Sequence, residues 1–227
     1  MKLTNNVEML ELSWQQGTVY PVLVWDNKDV ILVDTGFPWQ LEEIRAAVGK
    51  TGLSLERITK IILTHHDMDH VGCAKQLRGL GAKIMAHEKE APYIQGDLPS
   101  PKLLKMEEHL KELSEEQRAM YERIKSMAPS LYVHVDEALK DGDLLPFCGG
   151  IEVIHTPGHT PGHICLLLNE SNVLITGDAA NASNGIMTGP NPQHTLDMAQ
   201  GEESFKKLSG LKPNFVVCYH GGLCSIK

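Results

Sequence analysis

The stretch Thr64-His65-His66-Asp67-Met68-Asp69-His70 gathers imidazoles and carboxylates directly behind an apolar run, residues 58–63. Five of its last six side chains can bind a metal. Histidine nitrogen and aspartate oxygen together suit borderline and hard divalent cations, and the exit of a buried strand is a rigid edge on which to hold them. Metal binding is therefore the first chemistry this sequence suggests.

Three further pieces place a possible ligand after a strand-like run. His159 lies within His155-Thr156-Pro157-Gly158-His159-Thr160-Pro161-Gly162-His163, Asp178 closes Thr176-Gly177-Asp178, and His220 opens His220-Gly221-Gly222. The two Pro-Gly pairs favour tight turns that can aim His159 back across a sheet edge. Taken singly these pieces are weak, since Gly-Asp is usually a turn and a lone histidine is usually packed or solvated. Their joint placement after strands carries the inference.

The elements that must position these residues are legible in outline. Strand patterns cover 7–12, 19–25 and 30–33, separated by Gln16-Gly17 and by Asp26-Asn27-Lys28-Asp29, and read as an antiparallel meander. Helical spacing over 39–48, the strand 58–63, the His/Asp loop, a helix over 72–80 and a strand at 83–86 follow. Strands return at 151–155, 164–168, 173–176 and 215–218, with a helix over 196–208. Both halves thus mix strands and helices, which suggests an α/β (α+β) fold, two face-to-face sheets with helices outside in an αββα four-layer sandwich. One domain is expected, with a helical insertion at about 96–130. There Leu110, Leu113, Met120, Ile124 and Met127 recur at mostly helical spacing, flanked by Pro99, Pro101 and Pro129. A solvated helix packing one apolar stripe and a lid over a pocket are both open readings of it.

In residue type and order these pieces strongly resemble the metallo-β-lactamase superfamily, with Asp34-Thr35-Gly36 as an additional early match. The resemblance covers nearly the whole chain. It implies that His65, Asp67 and His159 bind one metal, that Asp69, His70 and His220 bind a second, and that Asp178 bridges both. It also implies that Asp34 fixes the metal loop by hydrogen bonds from behind the ligands. His163 begins a strand and is read as a supporting hydrogen-bonding residue. The family's usual loop is H-x-H-x-D-H, whereas Asp67 stands here at the place of the second histidine. His66 occupies the variable position, and using it as a ligand would misplace Asp69 and His70.

That substitution sets three carboxylates, Asp67, Asp69 and Asp178, against two divalent cations. Oxygen-rich coordination widens the choice from zinc to iron or manganese. The extra negative charge is expected to raise the pKa of metal-bound water. Two such ions can hold a hydroxide near neutral pH and polarise a carbonyl, so hydrolysis of a small ester-like substrate follows, a lactone, a thioester or a related compound. Asp69 is also expected to orient the attacking water as a catalytic residue. Two alternatives come from other classes. Flavodiiron proteins resemble this pattern and use H-x-E-x-D-H, which makes a di-iron redox module with a separate flavin electron donor one of them. A non-catalytic metal-binding protein is the other.

Composition narrows the partners. A net charge of −8 over 227 residues disfavours a phosphate backbone and fits a small-molecule substrate. No stretch approaches the roughly 18 apolar residues of a membrane span, and residues 1–8 lack a signal-peptide pattern, so a cytoplasmic location is expected. The five cysteines show no C-x-x-C pair and read as packed, reduced thiols. His194, in the Gly- and Pro-rich stretch 181–193 and its border, reads as a solvated loop residue or one that lines the pocket.

Overall fold

A computed structural model describes residues 1–14 and 17–226; Gln16, half of the first expected turn, lies outside them. Two six-stranded sheets carry the architecture. In spatial order the first contains Val7–Met9, Val22–Trp25, Val30–Val33, Lys60–Leu63, Lys83–His87 and Glu137–Leu139. Its first three strands are antiparallel and the rest run parallel. The second contains Gly222–Cys224, Phe215–Cys218, Val173–Ile175, Ile164–Leu168, Ile151–His155 and Leu144–Leu145. Only the pair Val173–Ile175 with Phe215–Cys218 is parallel in it.

Side-chain alternation builds the layers. Within Val30–Val33, Ile31 and Val33 point to the inter-sheet core shared with Val153, Leu166, Ile175 and Val217. Val30 and Leu32 point the other way, to the cluster formed with Ile44 and Val48 of the Leu41–Gly49 helix and with Leu77 of the Ala74–Gly79 helix. On the far face of the second sheet, Ile154, Cys165 and Leu174 pack with Leu208 of the Met198–Ser209 helix. Period-two strands buried on both faces make helix, sheet, sheet, helix the consistent stacking. The αββα expectation holds.

Several expected elements are divided. The runs 7–12 and 19–25 each break, because Pro21 has no N–H for the ladder and its carbonyl instead accepts from the Leu10 N–H at 2.8 Å. The helix expected from residue 72 is preceded by a turn of helix, Met68–Val71, so Asp69 and His70 lie on helix and not on loop. That turn starts because the Asp67 carbonyl accepts from the His70 and Val71 N–H groups. The 181–193 stretch contains a small hairpin, Asn181–Ser183 with Ile186–Thr188.

The 96–130 region forms two helices, Pro101–Glu108 and Glu115–Leu131. Proline at the first helical position starts the former, and a capping box between Ser114 and Gln117 starts the latter. Of the expected apolar stripe, Met120 is 56 % exposed while Leu110, Leu113, Ile124 and Met127 are half-buried, and Tyr121 is the residue of these helices that is fully buried. Pro129, expected as a flank, falls inside the last turns of the second helix. Among the described residues no helix is long and apolar enough to cross a membrane.

Candidate metal centre

Every proposed ligand lies just past the C-terminal end of a strand, on the edge where the two sheets are sewn together. The Ile164 N–H donates to the Thr64 carbonyl at 3.1 Å, and the Tyr20 N–H to the Tyr219 carbonyl at 3.1 Å. Residues 36 to 183 positions apart in sequence therefore meet in one cluster. Three sets of potential ligand atoms each fall within 4.8 Å of one another: His65, Asp67 and His159; His65, His70 and Asp178; Asp69, His70 and His220. All seven residues read as ligands from the sequence are thus brought together.

The ring nitrogens are oriented from behind. Asp34 accepts from the Thr64 N–H and hydroxyl, both at 2.8 Å, and faces Nδ1 of His70 at 2.9 Å. Since the Thr64 hydroxyl spends its proton on Asp34, its oxygen accepts from Nδ1 of His65 at 3.0 Å. This network assigns the tautomers: both imidazoles carry hydrogen on Nδ1 and turn Nε2 to the centre. His163 does the same for Asp178, because its Nε2 accepts the Asp178 N–H at 2.9 Å while Nδ1 donates to the Thr156 hydroxyl at 2.9 Å. Gly177 allows the approach, with φ at +49° and a would-be Cβ only 2.7 Å from Nε2 of His163. Asp34 and His163, expected as supporting residues, thus each hydrogen-bond a candidate ligand from behind.

Burial and charge act on these groups in opposite directions. Burial holds His65 and His163 well below the ordinary imidazole range and keeps them neutral. Burial disfavours charge on His70 as well, yet the carboxylates of Asp34, Asp69 and Asp178 outweigh it and push His70 well above that range. His220 behaves likewise, raised against burial to about 10 by Asp178 and Asp69. Burial would raise Asp178 too, but His220, His70 and His159 hold it well below the usual carboxylate range.

The donor set fits divalent ions. Among the described residues, Nε2 of His65, Nε2 of His70 and Oδ1 of Asp178 are buried without a hydrogen-bond partner, as is Nδ1 of His159. The first three residues form one of the sets above and offer two imidazole nitrogens and a carboxylate oxygen, a chemistry that divalent cations would satisfy.

A family model described as Metallo-beta-lactamase superfamily matches residues 14–220. The chain belongs to the metallo-beta-lactamase superfamily. Among curated members it is 27% identical to the probable metallo-hydrolase YflN of Bacillus subtilis, over 92% of this chain and 82% of that protein. It is 28% identical to the hydroxyacylglutathione hydrolase GloC of Haemophilus influenzae, over 76% of this chain and 71% of that one. The crystal structure of the metallo-beta-lactamase family protein TTHA1429 from Thermus thermophilus shares the fold with a TM-score of 0.80 at 23% identity, covering 99% of this chain and 76% of that one. As a metallo-beta-lactamase superfamily member the chain is a metal-dependent hydrolase.

Three residues at the centre, Lys102, Tyr219 and Glu90, escaped the sequence reading, and so did the anchoring of a fourth, His66, which reads from the sequence only as a non-ligand. Lys102, from the insertion, pairs with Oδ2 of Asp67 and lies 2.8 Å from Nε2 of His159. Its ammonium offsets the additional carboxylate that Asp67 brings, so the count of three carboxylates against two ions is incomplete. Although burial by itself would raise Asp67, Lys102 followed by His65 holds it well below the usual range. Tyr219 donates its hydroxyl hydrogen to the Asp69 carbonyl at 2.5 Å, accepts from the Gly36 N–H at 3.2 Å and lays its ring 3.8 Å from that of His70. His66 turns away from the ligands, with Nδ1 on Glu90 and Nε2 3.0 Å from the Ser100 hydroxyl. Glu90, fully buried, also accepts from the N–H groups of His66 and Gly162. Position next to a ligand was the only signal for Tyr219 and His66, and nothing local marked Lys102 or Glu90. His194 is exposed.

Proposed function

We propose that this chain hydrolyses small ester-like compounds, lactones, thioesters or relatives of them, with a pair of divalent ions, zinc foremost and iron or manganese as alternatives. The supporting observation is the position of Asp178. Its Oδ2 lies 3.4 Å from Nε2 of both His159 and His220, and its Oδ1 lies 3.4 Å from Nε2 of His70. A carboxylate between two donor sets suits two ions. His65, Asp67 and His159 would hold one, Asp69, His70 and His220 the other, and Asp178 both. When bound, the ions supply an ionised water near neutral pH and polarise the scissile carbonyl.

The chain's own residues divide the remaining work. Asp69, whose Oδ2 lies 3.3 Å from Nε2 of His220, would orient the attacking water. His220, 38% exposed in its side chain, is the most exposed of the seven candidate ligands. Burial pushes the thiols of Cys73, Cys148 and Cys165 up to about 12, so none of these three is poised as a nucleophile, and all five cysteines are buried and free. The GloC relative supports the thioester branch of the substrate class. We read the chain as one domain with its helical insertion at about 96–130, since both sheets contribute to the central core cluster.

Elemental analysis of protein purified without added metal tests this, followed by assay on lactone, thioester, ester and phosphodiester substrates with zinc, iron or manganese restored. Close to two ions per chain and turnover of the carboxylic ester class are expected. Bound ions without turnover on any substrate would identify a non-catalytic metal binder, and oxygen consumption from a reduced flavin donor would identify a redox module.

A further inference from the structure

Lys102 lies 35 residues from Asp67 and 57 from His159, yet its ammonium is in hydrogen-bonding contact with a ligand atom of each. Its approach is built into the fold. Ser100, immediately before the Pro101–Glu108 helix, meets Nε2 of His66 at 3.0 Å. His66 is tied through Nδ1 to Glu90, and Glu90 accepts from the Gly162 N–H at 2.7 Å. The start of the inserted helix is thereby fastened to the metal loop on one side and to the His159 turn on the other. Lys102, two residues beyond Ser100, is delivered to the donors those two loops supply, with its side chain 21% exposed.

Neutral imidazole has one acceptor nitrogen with one lone pair. While Nε2 of His159 accepts a hydrogen from Lys102 it cannot bind an ion, and once it binds an ion it cannot accept from Lys102. Asp67 has lone pairs for both, but an ammonium and a divalent cation beside the same carboxylate repel each other. We infer that Lys102 and the ion of the His65, Asp67 and His159 set compete for His159, so that Lys102 determines the affinity of that set and whether the chain holds one ion or two at a given metal concentration. This rests on the two-ion reading above. The coupling is reciprocal, since whatever Lys102 docking contributes is subtracted from the binding of that ion. Among the described residues no hydrogen bond or ion pair joins Lys102 to Asp69, His70 or His220, so its effect falls first on the set that contains His159.

The test measures zinc bound per chain against buffered free zinc, in wild type, Lys102→Met and Lys105→Met. Lys105 lies one turn along the same helix and is exposed, so its variant removes the same charge without the contact. Lys102→Met is expected to tighten one of two binding steps by about tenfold, inside the roughly 5- to 150-fold range of site couplings, and to leave the other within about twofold. Lys105→Met is expected to match wild type. Two bound ions with identical profiles in wild type and Lys102→Met would overturn the competition and spare the two-ion reading. Equal shifts of both steps, or the same shift in Lys105→Met, would reduce Lys102 to a general field effect and overturn it too. No bound zinc in any of the three would overturn the metal centre and this inference with it. Thermal unfolding in chelator checks that each variant is folded.

Discussion

Nδ1 of His70 lies 2.9 Å from Oδ2 of Asp34, and this pair decides which nitrogen of His70 faces the centre. Asp34 reaches it from a left-handed backbone, φ +60°, which a non-glycine residue adopts at a cost that its three hydrogen-bond donors offset. Asp34→Asn keeps the shape and turns one acceptor oxygen into a donor. The ion held by Asp69, His70 and His220 is expected to weaken by about 10- to 100-fold, as for other groups that orient a ligand from behind. Competition with a chelator of known affinity reads the change, and an unaltered affinity would show that the pair is dispensable.

The two ligand sets should differ in their response to pH. His70 and His220 hold protons far above the ordinary imidazole range, His220 to about 10, and an ion needs the neutral ring. Binding at their set must expel those protons, so its affinity rises with pH below that value, by about tenfold per pH unit for each proton released. His65 is already neutral through burial, so the set it shares with Asp67 and His159 should change less. Zinc titrations between about pH 6 and pH 7.5 should show one steep and one shallow step. Parallel steps would contradict the assignment of protons.

Asp178→Ala removes the carboxylate between the sets and keeps the backbone N–H that donates to His163. Turnover is expected to fall at least about 100-fold, more than for loss of a supporting group, with one ion retained per chain in place of two. Cooperative thermal unfolding should persist. Retained stoichiometry and rate would remove the bridging role.

Glu90 accepts the N–H groups of His66 and Gly162 from a fully buried position. Glu90→Gln leaves it one acceptor oxygen where two N–H groups need one each. A loss of about 1–3 kcal/mol is expected in urea unfolding, the cost of an orphaned buried donor. Faster proteolysis within residues 96–110 should accompany it, since the inserted helix is tied to the body through His66. A stable variant with an equally resistant insertion would place the anchor elsewhere.

The sequence by itself marked the candidate ligands and determined the layers. Donor residues after apolar strands form a short-range pattern, and although the His65 to His70 segment, His159, Asp178 and His220 are each weak alone, their joint order along the chain carries it. Period-two strands such as Val30–Val33 and helices such as Leu41–Gly49 are similarly local, so αββα stacking follows from burial alone. Tertiary structure decided what stands behind and beside the ligands. Lys102 meets Asp67 across 35 residues, Glu90 meets Gly162 across 72, and Tyr219 meets the Asp69 carbonyl across 150. Such pairs depend on how the two sheets stack and where an inserted helix docks, and a lysine or glutamate on a charged segment looks the same in sequence whether it faces water or a metal ligand. The hydrogen-bond geometry that sets each imidazole tautomer likewise exists only once those loops have met.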